Sequence, residues 1–184
     1  SLMLGPLLVA LADDFGTSIA VAGQLAGATF MTWGITAPLV GPISDTYGRR
    51  PVLLIGLLLM ALGVLGSGAA WSYSSLLALR LITGIGSAMV LPTIMAALAD
   101  NLPPEKVGKA IGFITSSSWV GVAVGVPAIA LLGYIGGWRL PFYIIGGLSL
   151  AVWVPLWLWL PSGQRRPSQR IDIFNRFKVI GRQS

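Results

Sequence analysis

The sequence contains no cysteine and no histidine. The absence of cysteine excludes disulfide frameworks and thiol nucleophiles, and the absence of histidine removes imidazole from any metal site, haem site or proton relay. Charged residues make up only 10% of the chain, whereas soluble domains carry about 25%. Since no other nucleophile, metal-ligand cluster or phosphate-binding loop is evident, we expect no enzymatic activity, no cofactor and no metal.

Hydrophobic residues make up 55% of the chain and are arranged in long apolar runs. A helical run of about 20 residues crosses a hydrocarbon layer about 30 Å thick. Clusters of proline, glycine and charge separate six runs: Ser1–Ala12, Ile19–Ile43, Val52–Ala70, Ser75–Leu98, Val107–Leu132 and Pro141–Leu160. These runs predict an all-α integral membrane protein with six transmembrane helices. The first run is too short to span the layer, so we expect the start of helix 1 to be truncated.

The basic residues of the connections indicate how the helices are oriented. They follow the second, fourth and sixth runs: Arg49, Arg50, Lys106, Lys109, Arg165, Arg166, Arg170, Arg176, Lys178 and Arg182. The connections on the other side carry only Arg139. Because Lys and Arg accumulate in cytoplasmic loops, we predict a multi-pass protein of a plasma or inner membrane, with the basic side cytoplasmic. This distribution accounts for the net charge of +6 without a nucleic-acid partner.

The chain changes character at Pro161, which divides it into a bundle (1–160) and a cytoplasmic basic tail (161–184). Apolar residues recur in the tail at three-residue spacing among basic residues: Ile171, Phe174, Phe177 and Ile180. This spacing predicts an amphipathic helix lying on anionic lipid. A disordered basic linker is the alternative.

The connection between the second and third runs is the most specific motif, with the sequence Gly-Pro-Ile-Ser-Asp-Thr-Tyr-Gly-Arg-Arg-Pro. Its glycines permit a tight turn, and Asp45 can pair with an arginine or lie near the positive end of a helix. It resembles the signature loop of the major facilitator superfamily of transporters, although the family often has a basic residue at Thr46. The resemblance implies a gate that forms in one transporter state and breaks in the other. The residues concerned are Gly41, Asp45, Gly48, Arg49 and Arg50. The arginines also suit a simple topological anchor.

Arg80 is the second candidate, because it lies inside the fourth apolar run. An arginine in the apolar layer costs about 2.5 to 3.5 kcal/mol on insertion scales, so it should face protein or a water-filled cavity. Extension of the side chain to the membrane surface is the alternative. The pattern Arg-x-x-x-Gly-x-Gly resembles a helix 4 motif of the same family, which implies a role in proton transfer or substrate binding. Thr83 replaces the family's Gln-like position, which leaves the polar partner of Arg80 open.

The two carboxylates near the non-basic side are Asp13 and Asp14. A proton-coupled transporter needs a titratable group exposed alternately to each side, and these residues are candidates for it. Both also fit an ordinary solvated loop. Trp138 and Arg139, on the same side, suit anchors in the membrane interface.

The fifth run carries small residues on one helical face, including Gly121 and Gly125, followed by Pro127. Such a face permits close approach of another helix, and the proline predicts a kink. The spacing resembles the antiporter motif of drug-efflux members, although Val126 separates the glycine from the proline. Candidate cavity-lining residues are Phe30, Trp33, Met89, Thr93, Ser116 and Trp119, all of which also suit packing. Such a wall favours a lipophilic compound.

The resemblance covers nearly the whole chain and implies the N-terminal six-helix half of a major-facilitator fold. The predicted function is proton-driven efflux of a small lipophilic compound or drug by alternating access, as in the multidrug-efflux branch. The predicted partners are this substrate, protons, the lipid bilayer and a missing C-terminal six-helix half. Two alternatives stay open: an uptake symporter for a small polar solute, and a non-transporting membrane scaffold or sensor.

Overall fold

A computed structural model describes residues 2–159, and the predicted amphipathic tail lies outside the described residues. The described chain forms one 3-10 helix followed by six α-helices. Their bounds are Leu2–Leu7 for the 3-10 helix, Leu8–Asp14 for α1, Ile19–Tyr47 for α2, Arg49–Gly68 for α3, Tyr73–Asn101 for α4, Pro104–Gly136 for α5 and Arg139–Trp159 for α6.

Local sequence explains where these helices begin and end. The hydroxyl of Ser18 accepts a hydrogen bond from the Val21 amide at 3.2 Å and caps α2. Ser72 and Ser75 form a reciprocal capping box at the start of α4. Gly48 alone joins α2 to α3, with a φ of +95°, a left-handed conformation that favours glycine.

Each of the helices α2 to α6 covers most of one predicted apolar run. Caps and polar terminal residues continue a helix past its apolar part, so α2, α4 and α5 are longer than the runs that predicted them. The first run differs most, because it divides into a 3-10 helix and an α-helix of 7 residues. Pro6 lies inside the 3-10 helix, where the missing amide of proline opposes regular α-helical hydrogen bonding.

Four helices of the described chain are long and apolar enough to cross a membrane, namely α3, α4, α5 and α6. The α2 helix has 29 residues, but glycine, proline, threonine and Gln24 reduce its apolar character. The α1 helix is too short. The structure therefore supports four of the six predicted transmembrane helices by length and composition.

Glycines allow the helices at the centre of the bundle to pack closely. A Cβ atom added to Gly56 of α3 would lie 2.6 Å from Cβ of Met89 in α4. A Cβ atom added to Gly84 of α4 would lie 2.7 Å from the carbonyl oxygen of Thr29 in α2. Because real Cβ atoms do not approach so closely, glycine is required for this separation between the backbones.

The bundle has a basic end and an opposite end. The basic end is where α2, α4 and α6 finish and where α3 and α5 begin. The opposite end is where α1 finishes and α6 begins, and an apolar core extends from it. The members of this core include Leu4, Leu7, Leu11, Leu25, Leu76, Trp138 and Phe142.

Candidate functional site

Three helix ends meet in a charged cluster at the basic end. Arg49, the first residue of α3, forms ion pairs with Asp45 of α2 at 2.7 Å and with Asp100 of α4 at 3.2 Å. Its guanidinium also donates a hydrogen bond to the buried hydroxyl of Ser44. The Arg49 side chain is about a quarter exposed, so the ion pairs are accessible to water and can exchange partners. The predicted pairing of Asp45 with an arginine is present.

The turn that presents Arg49 depends on its glycine. Gly48 has a positive φ, and its amide donates to the Ser44 carbonyl at 3.0 Å. This short connection places Arg49 four residues after Asp45, where the two side chains meet across the turn. Gly41 lies a turn and a half before the end of α2, with open space around the position of an added Cβ atom. Thr46, where the family often has a basic residue, donates to the carbonyl of Pro42 in its own helix at 2.9 Å.

Arg50 connects the same turn to α6. Its guanidinium donates to the backbone carbonyl of Trp157 in the last turn of α6 at 2.7 Å. A cation at this position also interacts favourably with the negative end of a helix dipole. A second bond runs the other way, from the indole of Trp153 in α6 to the carbonyl of Leu54 in α3 at 2.9 Å. Arg50 therefore fastens two helices together, in addition to any topological role.

Arg80 is fully buried in the bundle, with 0% of its surface exposed. Its guanidinium donates to the hydroxyl of Ser67 and, at 3.5 Å, to the carbonyl of Gly63, both in α3. On α6, the ring of Phe142 lies 5.0 Å from the guanidinium carbon, within the range of a cation–π contact. The side chain thus faces protein and does not reach the membrane surface. The Thr83 hydroxyl, in contrast, donates to Leu79 of its own helix.

The environment of Arg80 is unusual for a buried cation. Within residues 2–159 no carboxylate pairs with it, and its Nε atom has no hydrogen-bond partner. Burying a charge is costly unless hydrogen bonds or an opposite charge compensate for it. The compensation here comes from one hydroxyl, one carbonyl and one aromatic ring, so each of them matters to the position of the guanidinium.

The opposite end carries a third ion pair, between Asp14 at the end of α1 and Arg139 at the start of α6. Asp14 accepts from the indole of Trp138 at 3.1 Å and from Arg139 at 3.4 Å. Arg139 also donates to the carbonyl of Ala70 after α3 at 3.3 Å. Trp138 is buried against its neighbours in the bundle, so it packs within the protein in addition to any role as a membrane anchor. Asp13, the preceding residue of α1, is exposed.

The candidates on α5 lie on an open side of the described chain. Nothing approaches within 4 Å of a Cβ atom added to Gly121 or Gly125. Ser116, Trp119 and Pro127 are exposed, and α5 continues through the proline to Gly136. The close helix approach that the small residues permit does not occur within the described residues.

The remaining cavity candidates fall into two groups. Phe30 and Trp33 of α2 are exposed, as are the α5 candidates. Met89 lies against Gly56 of α3, and Thr93 is buried with no hydrogen-bond partner for its hydroxyl. The structure therefore brings together the signature residues and, separately, surrounds Arg80, while the cavity candidates are distributed over several surfaces.

The charged cluster and the surroundings of Arg80 include residues that no sequence motif singles out. Asp100, Ser67 and Phe142 supply side chains, and Gly63 supplies a carbonyl. Asp100 could have been suspected as a carboxylate at the end of an apolar run that faces the basic connections. The other three are ordinary residues of apolar runs, and only the packing of α3 and α6 against α4 identifies them. No group of three or more potential metal ligands occurs within residues 2–159.

The chain is similar in sequence and in fold to known proteins. The family model of the Major Facilitator Superfamily matches residues 1–181. An uncharacterized MFS-type transporter of Bacillus subtilis, YceJ, is 28% identical over 97% of this chain and 46% of that protein. A chloramphenicol resistance protein of Streptomyces lividans is 29% identical over 88% of the chain and 41% of that protein. A 3-(3-hydroxy-phenyl)propionate transporter of Escherichia coli is 33% identical over 66% of the chain and 30% of that protein.

A solved structure shares the fold. The crystal structure of a bacterial homolog of the human lysosomal transporter Spinster, in an inward-facing and occupied conformation, has a TM-score of 0.66 and 19% identity, over 95% of this chain and 44% of that one. The chain thus spans less than half the length of the relatives it matches. The family match over nearly the whole chain, together with the apolar helices, shows that this integral membrane protein belongs to the Major Facilitator Superfamily.

Proposed function

We propose that the protein is a secondary transporter that works by alternating access, with this chain forming one of two helical bundles. The observation that carries the proposal is the cluster of Asp45, Arg49 and Asp100, which joins the ends of three helices through partly exposed ion pairs. Contacts of this kind are individually weak in water, so they can form in one state and break in another. A second six-helix bundle would complete the substrate path, because the chain matches less than half of its relatives.

We further propose proton-coupled efflux of a small lipophilic compound. Support comes from the buried cation Arg80, from the α5 motif that resembles drug antiporters, and from the similarity to a chloramphenicol resistance protein. Aromatic residues on exposed faces of α2 and α5, such as Trp33 and Trp119, offer apolar contact to such a compound. We propose Asp13 and Asp14, at the opposite end of the bundle, as the acids that transfer protons.

Uptake of a small polar solute by proton symport is the second candidate. A relative in Escherichia coli is a transporter of 3-(3-hydroxy-phenyl)propionate, a compound with a carboxylate. Arg80 is a buried cation without an ion-pair partner in the described part of the chain. A guanidinium of this kind suits an anionic group. For either direction of transport, we propose that the basic end faces the cytoplasm, because its connections contain most of the positive charge.

Flux under an imposed pH gradient distinguishes the two directions. The protein is reconstituted in proteoliposomes with an acidic lumen, and chloramphenicol and 3-(3-hydroxyphenyl)propionate serve as probes. An antiporter accumulates its substrate in the lumen as protons leave, whereas a symporter depletes the lumen. This result is thermodynamic, so it does not depend on how the protein inserts. Substrate moving together with protons would reject efflux by antiport.

A charge variant tests the gate itself. Asp45→Asn should slow transport, because it removes one of the two ion pairs of Arg49. Glu105→Gln is the matched control, since Glu105 is an exposed acid in the first turn of α5 at the same end of the bundle. Equal transport by both variants and the unmodified protein would contradict the proposed role of the cluster.

A further inference from the structure

A continuous line of contacts runs from the ion pair at the opposite end to the buried Arg80. Asp14 accepts from the indole of Trp138, which also lies 4.6 Å from the guanidinium carbon of Arg139. The Trp138 ring packs edge-on against Phe142, with centroids 5.9 Å apart and an interplanar angle of 81°. Phe142 in turn lies 5.0 Å from the guanidinium carbon of Arg80. We call Trp138 and Phe142 the aromatic column.

The column is built to hold a fixed position. Trp138 lies in the turn just before α6 and Phe142 in the first turn of α6, and their rings are in direct edge-on contact. Trp138 is 5% exposed and Phe142 is fully buried. Phe15, just after α1, packs against Trp138 at a centroid distance of 5.5 Å. The column is therefore enclosed and is tied to the end of α1 by both an aromatic contact and a hydrogen bond.

Phe142 has a particular place among the neighbours of Arg80. Both hydrogen-bond acceptors of the guanidinium, Ser67 and Gly63, belong to α3. The ring of Phe142 is the contact that ties the guanidinium to α6. Because the Nε atom of Arg80 has no hydrogen bond, the polar contacts hold only part of the guanidinium. Loss of the ring would leave the guanidinium held from α3 alone.

We propose that Trp138 and Phe142 are positioning residues for Arg80, and that they couple its guanidinium to the Asp14–Arg139 ion pair at the ends of α1 and α6. The proposal rests on the proposed function in one respect, since the position of Arg80 matters to transport only if Arg80 acts in it. The coupling itself does not depend on transport. Through this coupling, Asp14 helps to hold the guanidinium of Arg80 in position without contacting it directly.

A double-mutant cycle measures the coupling without any transport assay. Asp14→Asn, Arg80→Lys and the double variant are unfolded in detergent by titration with dodecyl sulfate, and their unfolding equilibrium constants are compared. For distant residues without shared partners, the effect of the double variant on the unfolding equilibrium constant equals the product of the two single effects within about twofold. The column predicts a deviation larger than twofold, whereas agreement within twofold would overturn the proposal. Asp45→Asn with Arg80→Lys is the matched control cycle, because it makes the same chemical changes but uses the basic end, and it should combine within twofold.

Variants of the column test whether the aromatic ring carries the coupling. Introducing Phe142→Leu into the Asp14–Arg80 cycle should reduce the deviation to within twofold, while Phe142→Tyr, which retains the ring, should preserve it. Phe113→Leu, at an exposed phenylalanine of α5, should leave the deviation unchanged. A deviation that survives Phe142→Leu would overturn the assignment of the column.

Transport then separates this inference from the proposed function. Phe142→Leu should raise the KM of transport at least about threefold, and Phe142→Tyr should restore the KM of the unmodified protein. A purely structural effect would lower the amount of folded protein without changing KM, and that result would overturn the positioning role. If Arg80→Lys leaves transport unchanged while the cycle shows coupling, the proposed role of Arg80 in transport fails and the coupling stands.

Discussion

Replacement of Ser67 by alanine probes how the buried guanidinium of Arg80 is stabilised. The Ser67 hydroxyl is fully buried, accepts from Arg80, and itself donates to the Gly63 carbonyl at 2.6 Å. Ser67→Ala removes a hydrogen bond to a charged group, which contributes about 1.5 to 3 kcal/mol in proteins. The acceptor that remains is the Gly63 carbonyl, at a long distance of 3.5 Å. We therefore expect the free energy of unfolding to fall by about 2 kcal/mol.

Ser149→Ala is the matched control for this change. Ser149 of α6 makes the same bond to a carbonyl four residues earlier, at 2.8 Å, and is not a partner of a guanidinium. Its loss should change the free energy of unfolding by less than about 0.5 kcal/mol, because a hydroxyl bonded back to its own helix adds little stability. Reversible unfolding in detergent, followed by tryptophan fluorescence, measures both variants. If Ser67→Ala were no more destabilising than Ser149→Ala, the hydroxyl would not stabilise the buried cation.

Three further changes test the packing and the polar contacts around the bundle. Gly84→Ala should lower the free energy of unfolding by about 1 to 3 kcal/mol through overpacking against a carbonyl of α2, whereas Gly121→Ala, which has open space, should not lower it; equal effects in detergent unfolding would refute the close contact. Trp153→Phe should cost about 0.5 to 1.5 kcal/mol by removing the bond to Leu54, and an unchanged unfolding midpoint would contradict this. Asp45→Asn should cost no more than about 1 kcal/mol, because its ion pair with Arg49 is partly exposed and such pairs contribute about 1 kcal/mol or less; a much larger loss would show that the cluster serves stability first.

The structure confirms the predicted helices more fully than it confirms how many of them cross the membrane. Apolar runs bounded by proline, glycine and charge correspond to α2 through α6, since burial in lipid or in a bundle requires the same residues. The α2 helix is the exception in apolar character, because it contains glycines, prolines and threonines. One of these threonines, Thr29, is buried where α2 meets Gly84 of α4, so it contacts a neighbouring helix rather than lipid. Packing of this kind cannot be separated from weak hydrophobicity by counting residues.

The charged cluster was predictable only in its local part. Asp45 and Arg49 are four residues apart across a glycine turn, so their spacing in the sequence favours contact. Asp100 is 51 residues from Arg49, and its participation depends on where α4 ends relative to α3. The burial of Arg80 likewise depends on how neighbouring helices pack against α4. Sequence left its two alternatives open, because a helix shows which residues share a face but not which neighbour covers that face.

The contacts of α6 explain why some of its residues are hard to interpret from sequence. At the basic end, Arg50 of α3 donates to a carbonyl of α6, and Trp153 of α6 donates to a carbonyl of α3. At the opposite end, Asp14 accepts hydrogen bonds from Trp138, just before α6, and from Arg139, the first residue of α6. Tryptophan and arginine near helix ends are typical of membrane interfaces, so the sequence left anchoring open for Arg50, Trp138 and Arg139.

A helix tied to its neighbours at both ends is expected to keep its register, and that has a consequence for Arg80. Since Phe142 lies on α6 between these two sets of contacts, its ring is held at a fixed height beside the guanidinium. The α5 helix differs, because the glycines Gly121 and Gly125 face open space within the described chain. The bundle thus combines a fastened part, made of α3, α4 and α6 around the buried cation, with an open face on α5 that permits close approach of another helix. A fastened part next to a free face is compatible with the proposed mechanism, in which one bundle rocks against another.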